Sequence, residues 1–325
     1  DGSVVTWGDS GWGGNSSSVA SDITSGVIKI FSTGYAFSAL KDDGSVVTWG
    51  ADGNIFPHNW GGDSSSVTSD ITSGVIKIFS TDYAFAALKN DGSVVTWGHS
   101  TYGGDSSAVS SSLSNNIVNI FSNTTAFAAV DNNGAIITWG FSGSGGDSSS
   151  VSSNLTSGVV NVIGTDYGAF AALKENGSVV TWGNSEYGGD SSSIASDLTS
   201  GVINIFSTEY AFAALKNDGS VVTWGDSAYG GDSSSVASDI ESEVATIFST
   251  GYAFSALKDN GSVITWGAND WGGNSSLVSS KLASGVVNIF STSYAFAALK
   301  NDGSVVTWGN ADRGGNSINV EADLK

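Results

Sequence analysis

Apolar positions in this chain arrive in three short bursts that recur from one end to the other. In one period the bursts are residues 202–206 (VINIF), 210–215 (YAFAAL) and 220–224 (SVVTW), separated by Ser, Thr, Asn, Asp and Gly. The first and third are rich in β-branched residues and the second in aromatics and Ala. None carries a helical period, so each predicts a strand. The step Asn217-Asp218-Gly219 between the second and third predicts a three-residue hairpin loop, its Gly taking the left-handed conformation that other residues resist. Hairpin geometry then places the Ser-Thr-x-Tyr turn and the loop after Trp-Gly at one end of the repeat, and the Asn-Asp-Gly turn at the other.

The register is marked by Thr-Trp-Gly, with its Trp at Trp7, Trp49, Trp97, Trp139, Trp182, Trp224, Trp266 and Trp308, spaced by 42, 48, 42, 43, 42, 42 and 42 residues. The longer steps come from an extra NIFPHN at residues 54–59 and from Gly168. A period of about 40–45 residues built from short strands predicts propeller blades. The expected fold is all-β, a seven-bladed β-propeller of 42-residue repeats with three main antiparallel strands per blade. Its blades are expected at residues 27–49, 75–97, 117–139, 159–182, 202–224, 244–266 and 286–308, with a surplus third strand at residues 2–7. That strand either closes the ring against the last blade or belongs to a preceding blade outside this chain. Residues 310–325 begin a further period, and the single domain over residues 1–325 is expected to be part of a longer repeat-bearing polypeptide.

Ser200-Gly201-Val202, Ala214-Leu215-Lys216, Asp218-Gly219, Trp224-Gly225 and Tyr229-Gly230 recur over essentially the whole chain. The pattern resembles the repeats of the regulator-of-chromosome-condensation family, most closely the compact repeats of β-lactamase inhibitory protein type II. It departs from the family in three places. Gly-Gly stands for the family's Gly-Gln, the blade-start Pro is missing, and the family's AxGxxH is written FSTxYAF. The resemblance implies a seven-bladed propeller used as a binding platform. It does not imply nucleotide exchange or chromatin binding, because there is no basic tail and the charge has the wrong sign.

Comparison of the copies separates constant from changing letters. Thr-Trp-Gly never changes, and its Trp reads as core. Two places vary, both at the end where the third strand finishes. After Ser-Thr the copies read Gly34, Asp82, Thr124, Asp166, Glu209, Gly251 and Ser293. The loop after Trp-Gly varies at its first and third residues, then carries Trp12, Trp60, Tyr102, Tyr187, Tyr229 and Trp271, replaced by Ser144 and Arg313. A rigid scaffold with diverging loops on one face is a common way to carry a binding surface, although drift at exposed positions and a structural lid over the blade edge would leave the same pattern. The expected binding residues are Trp12, Phe56, His58, Trp60, Asp82, Tyr102, Tyr187, Glu209, Tyr229, Trp271 and Arg313.

Composition narrows the partner. A net charge of −20 opposes binding to nucleic acid or anionic lipid, and no apolar run approaches the roughly 20 residues of a membrane helix. The variable positions are acidic or neutral apart from Arg313, whereas Lys41, Lys89, Lys174, Lys216, Lys258 and Lys300 precede the opposite turns, so the variable end favours cations, neutral glycans or a basic protein patch. No Cys is present, and His58 and His99 are the only histidines, neither beside a repeated Ser or carboxylate. The Asn-Asp-Gly steps read as turns rather than calcium loops, since the alternating carboxylates of such a loop are missing. Asp63, Asp105, Asp147, Asp190 and Asp232 after Gly-Gly, replaced by Asn15, Asn274 and Asn316, fit either a local turn cap or a sugar site between blades. The expected function is a non-enzymatic extracellular or cell-surface recognition module that binds a protein or glycan without metal or cofactor. The alternative is a structural or adhesive unit that self-associates through its end strands.

Overall fold

The computed structural model describes residues 1–53 and 58–317, and the chain divides into two compact units, residues 1–159 and 160–325. Among the described residues seven separate three-stranded antiparallel sheets form, each in sequence order. They are β1–β3 (Val27–Ser32, Ala36–Lys41, Val46–Gly50), β4–β6 (Val75–Ser80, Ala84–Lys89, Val94–Gly98), β7–β9 (Ile117–Ser122, Ala126–Asp131, Ile136–Gly140) and β10–β12 (Val159–Gly164, Ala169–Lys174, Val179–Gly183). Then follow β13–β15 (Val202–Ser207, Ala211–Lys216, Val221–Gly225), β16–β18 (Val244–Ser249, Ala253–Lys258, Val263–Gly267) and β19–β21 (Val286–Ser291, Ala295–Lys300, Val305–Gly309). Seven such sheets fit a seven-bladed repeat propeller.

A sheet of three short strands has no interior, so both faces of its middle strand must be covered from outside. In the second unit Ala211, Ala213 and Leu215 of β14 meet Ile240, Val244, Ile247, Phe254 and Trp266 of the following blade. Phe212 and Ala214, on the opposite face, meet Ala169, Ala171 and Leu173 of the preceding one. In the first unit β5 repeats the arrangement, with Ala84, Ala86 and Leu88 against Ile117, Ile120, Phe127 and Trp139, and Phe85 and Ala87 against Ala36 and Leu40. Alanine on the middle strand lets sheets approach until the Phe and Trp rings are fully covered, and each such ring stabilises by about 2–3 kcal/mol. The Trp indole adds direction. Trp224 Nε1 donates to the Gly188 carbonyl at 3.1 Å, Trp266 to Gly230 at 3.1 Å and, in the first unit, Trp97 to Gly61 at 3.2 Å, so each blade is tied to the linker that leads into it.

The strands of this repeat run Val202–Ser207, Ala211–Lys216 and Val221–Gly225 rather than over 202–206, 210–215 and 220–224. The second strand starts at Ala211 rather than at Tyr210, because Thr208 Oγ1 accepts hydrogen bonds from the N–H groups of both Tyr210 (3.2 Å) and Ala211 (3.0 Å) and holds Tyr210 in a turn. Residues 2–7 form no strand, which corrects the surplus strand. Val4 N–H donates to the Ile23 carbonyl and Val27 N–H to that of Gly2, just as Val46 donates to Ile71 and Val75 to Gly44. The segment therefore takes a third strand's place beside its linker. No second strand of the first unit pairs with it, and Val5 and Trp7 stay 79% and 84% exposed.

At the far end the hairpin turns lock blades together. Asp218 Oδ1 accepts from Ser220 N–H (3.0 Å) and Oγ–H (2.6 Å), and the adjacent Lys216 Nζ donates to the Asp197 carbonyl of the preceding linker at 3.1 Å. Gly219 has φ +78°, and a Cβ there would lie 2.6 Å from the Glu243 nitrogen of the next linker. Gly303 holds the same turn at φ +85° with no described atom within 4 Å of that point. Gly303→Ala is expected to cost the left-handed penalty alone, about 1–2 kcal/mol, and Gly219→Ala clearly more, read from urea unfolding midpoints. Equal losses would show that the blades do not approach as described.

Candidate functional site

The opposite end of the blades is built from two loops. The first is the Ser-Thr-x-Tyr turn, and its variable residue is fixed by its main chain. The N–H of Gly34 donates to the carbonyl of Asp82 at 3.0 Å, and that of Asp82 to Thr124 at 3.0 Å. In the second unit Glu209 donates to Gly251 and Gly251 to Ser293, both at 3.0 Å; where Gly168 is inserted, Tyr167 donates to Glu209 at 3.2 Å. Within each unit consecutive blades are thus bonded through the backbone of this turn, at the variable residue or, beside Gly168, at the Tyr that follows it. Any residue but Pro can make it, because the bond needs only backbone.

The second loop is a single 3-10 turn after Trp-Gly. Asp226 caps it by accepting from Ala228 N–H at 2.8 Å, and Gly230 at φ +105° ends it. Asp9 and Asn184 make the equivalent caps, which explains part of the variation at the residue following Trp-Gly. The aromatic residue closes this turn, and its carbonyl accepts from the Thr of the first loop: Thr208 Oγ1 to Tyr229 at 3.2 Å, Thr250 to Trp271 at 3.1 Å, Thr33 to Trp60 at 3.2 Å and Thr81 to Tyr102 at 3.1 Å. The two loops are therefore tied, and the linker ring is delivered beside the Tyr of the first loop.

The result is an interleaved row of rings in each unit. In the first, Trp12, Tyr35, Trp60, Tyr83 and Tyr102 follow one another with centroid separations of 5.5, 4.2, 6.1 and 4.8 Å, and the exposed Phe141 lies 5.9 Å beyond. His99 packs on Tyr102 at 4.5 Å and meets His58 at 4.7 Å, which brings the chain's two histidines together. Burial, and then the neighbouring His58, hold His99 below the usual histidine range. In the second unit Tyr187, Tyr210, Tyr229, Tyr252, Trp271 and Tyr294 are separated by 5.5, 4.5, 5.6, 3.7 and 5.2 Å, with Tyr167 stacked 4.3 Å from Tyr210. Arg313 ends this row with its guanidinium 4.9 Å from the Tyr294 centroid. The third blade breaks the pattern by carrying Thr125 and Ser144 in the two ring positions.

Of the residues singled out in the sequence, Trp12, His58, Trp60 and Tyr102 join the first row, and Tyr187, Tyr229, Trp271 and Arg313 the second. Asp82 is exposed beside Tyr83. Phe56 lies outside the described residues. What sequence reasoning missed is the other half of each row: Tyr35, Tyr83, Tyr167, Tyr210, Tyr252 and Tyr294. Their signal was a Tyr recurring next to the variable letter, absorbed into a predicted strand.

Carboxylates stand among these rings. Burial raises the Glu209 carboxyl above its ordinary range; a hydrogen bond with Tyr252 opposes the rise and the charge of Asp166 adds to it. Asp166 is exposed as a residue, yet protein crowds its carboxyl and desolvation raises it too. Burial, then Glu209, push the Tyr252 hydroxyl up to about 12. The aspartates after Gly-Gly behave differently. Asp190 and Asp232 border a hollow of about 510 Å³ between linkers, but their Oδ1 atoms accept from Ser192 and Ser234 N–H at 2.9 and 2.8 Å, the local turn cap that also suits Asn. Among the described residues no group of three or more His, Asp or Glu is placed to hold a metal ion.

No family model matches the sequence, and no curated protein matches it. Solved structures do align. Prp20p from Saccharomyces cerevisiae is 16% identical over 75% of this chain and 72% of its own, with a TM-score of 0.42. The CRINKLY WD40 ectodomain of the Arabidopsis thaliana receptor kinase ACR4 is 15% identical over 86% and 96%, with a TM-score of 0.41. Human WBSCR16 is 16% identical over 74% and 77%, also at 0.41. Overlaps below 0.5 add nothing to the fold, which rests on the blades themselves.

The raised Glu209 has a consequence for stability. The folded chain holds the Glu209 proton more tightly than the unfolded chain, so this group favours folding below the ordinary carboxylate range and that contribution is lost as pH rises through the raised value. Glu209→Gln is therefore expected to raise the thermal midpoint at pH 7, with the gain fading as pH falls below the ordinary carboxylate range. A gain of constant size across that window would contradict the assignment.

Proposed function

We propose that this chain is a non-enzymatic recognition module of the extracellular space or cell surface, and that it holds a protein partner on the aromatic end of its blades. One observation carries the reading: the two diverging loops of each blade are rigidly tied, and together they present rows of half-buried Tyr and Trp rings. Aromatic side chains held in place offer large contact area at little entropic cost, and they dominate the energetics of protein interfaces. The flat ring faces also suit a glycan, but the carboxylates crowded among them favour a partner that brings positive charge. Nothing in the rows assembles a nucleophile, a base and its orienting group, which supports binding rather than catalysis.

A second reading has one observation behind it. Val5 and Trp7 are exposed in a segment that takes a third strand's place without a second strand, so another copy offering that strand would cover them and build a fibre or surface layer.

The first reading predicts that Trp60→Ala and Trp271→Ala, one in each unit, keep the fold by circular dichroism and weaken a partner captured from the native source by about 10-fold or more for at least one of them. Asp91→Ala, at the opposite turns, leaves that affinity unchanged. Loss of binding only in Asp91→Ala would place the partner at the other end.

A further inference from the structure

We propose that the tyrosine row of the second unit, with Asp166 and Glu209 among its rings, is a seat for guanidinium groups, and that its partner is a protein segment presenting arginines. This rests on the recognition reading above and names the chemistry of its partner. The chain already holds one such group. Arg313 stands at the repeat position where other copies carry Trp or Tyr, and its guanidinium lies over Tyr294, 4.9 Å from the centroid. At this place in the repeat an arginine therefore does what a ring does: it lies on the neighbouring Tyr. Cation–π attraction acts within about 6 Å of a ring centroid.

The remaining seats lie along the same row. Tyr210 and Tyr252 are 5.7 Å apart and Tyr252 and Tyr294 5.9 Å apart, close to the roughly 6.6 Å between alternate side chains of an extended chain. A segment with arginine at every second position runs in step with them. Glu209 meets the Tyr252 hydroxyl beside these rings, and the charge of Asp166 acts on Glu209, so two carboxylates stand where the cations would arrive. A guanidinium pairs with a carboxylate through charge-assisted, often bidentate hydrogen bonds. Among the described residues Lys174, Lys216, Lys258 and Lys300 close their second strands at the opposite end, where the Lys281 carbonyl accepts from Lys300 Nζ. Arginine is preferred to lysine on physical grounds, because a planar, weakly hydrated guanidinium stacks on a ring while it pairs with a carboxylate, and a compact hydrated ammonium does not.

The test uses two synthetic peptides of about eight residues, one alternating Arg and Ala and the other Lys and Ala, titrated by calorimetry into the full chain at roughly physiological ionic strength. The Arg peptide is expected to bind about 10-fold or more tightly than the Lys peptide. Glu209→Gln and Tyr252→Leu should each weaken it about 5-fold, and Arg313→Ala, which uncovers Tyr294, should leave it unchanged or tighten it. Tyr252→Phe, which keeps the ring, guards against a folding defect and should retain most of the preference for Arg. Equal affinity for the two peptides, or indifference to both Glu209→Gln and Tyr252→Leu, would reduce the attraction to the net charge of −20 and overturn the proposal. If the Arg peptide fails while Trp60→Ala or Trp271→Ala still releases the native partner, this inference falls and the recognition reading stands. If the peptide binds while partner capture ignores both Trp variants, the guanidinium seat stands and the recognition reading falls.

Discussion

The rest of the structure depends on one constraint: a blade of three short strands cannot cover its own middle strand. That strand must be buried by its neighbours on both faces. The constant letters of the repeat answer this need. Alanines keep the sheets close, Phe212 and Trp224 stack at 5.2 Å inside the resulting interface, and the Trp224 indole N–H finds the Gly188 carbonyl in the preceding linker. Gly219 lets the hairpin turn touch the next linker, and Lys216 closes a carbonyl that would otherwise end in solvent. Side chains consumed in this way leave little for chemistry, so the residues that repeat most strictly say least about function.

Function has to come from the letters left over, and the geometry explains why they are left over. At the variable end, blades are bonded through main-chain N–H and carbonyl groups at the residue after Ser-Thr. The hydroxyl of that Thr holds the linker aromatic by its carbonyl, not by its ring. Both loops are therefore rigid while their side chains remain free to differ. Tyrosines and linker rings fall into alternation, and Glu209 bonds the Tyr252 hydroxyl beside them.

Much of this was legible beforehand. Period, strand content and the Asp-Gly turn come straight from apolar spacing and from the conformational freedom of one glycine. The variable letters were visible by comparing copies, and so were Trp60, Tyr229 and Trp271. Three things were hidden for definite reasons. Tyr210 belongs to an apolar burst and so reads as strand, because a Thr hydroxyl that captures two backbone N–H groups leaves no mark in hydrophobicity. The bond from Glu209 to Gly251 is invisible because main-chain bonds do not depend on residue type. Residues 2–7 spell a strand but pair with no second strand among the described residues, and pairing is a property of two segments.

The chain can rewrite residues such as Asp82, Glu209 and Gly251 because their backbones carry the bonds between blades. Residue-resolved amide hydrogen exchange tests it directly. These three amides are expected to exchange within about tenfold of the slow amides of the middle strands, despite lying in variable loops beside solvent. Exchange at the rate of an open loop would contradict it and return these positions to simple surface drift.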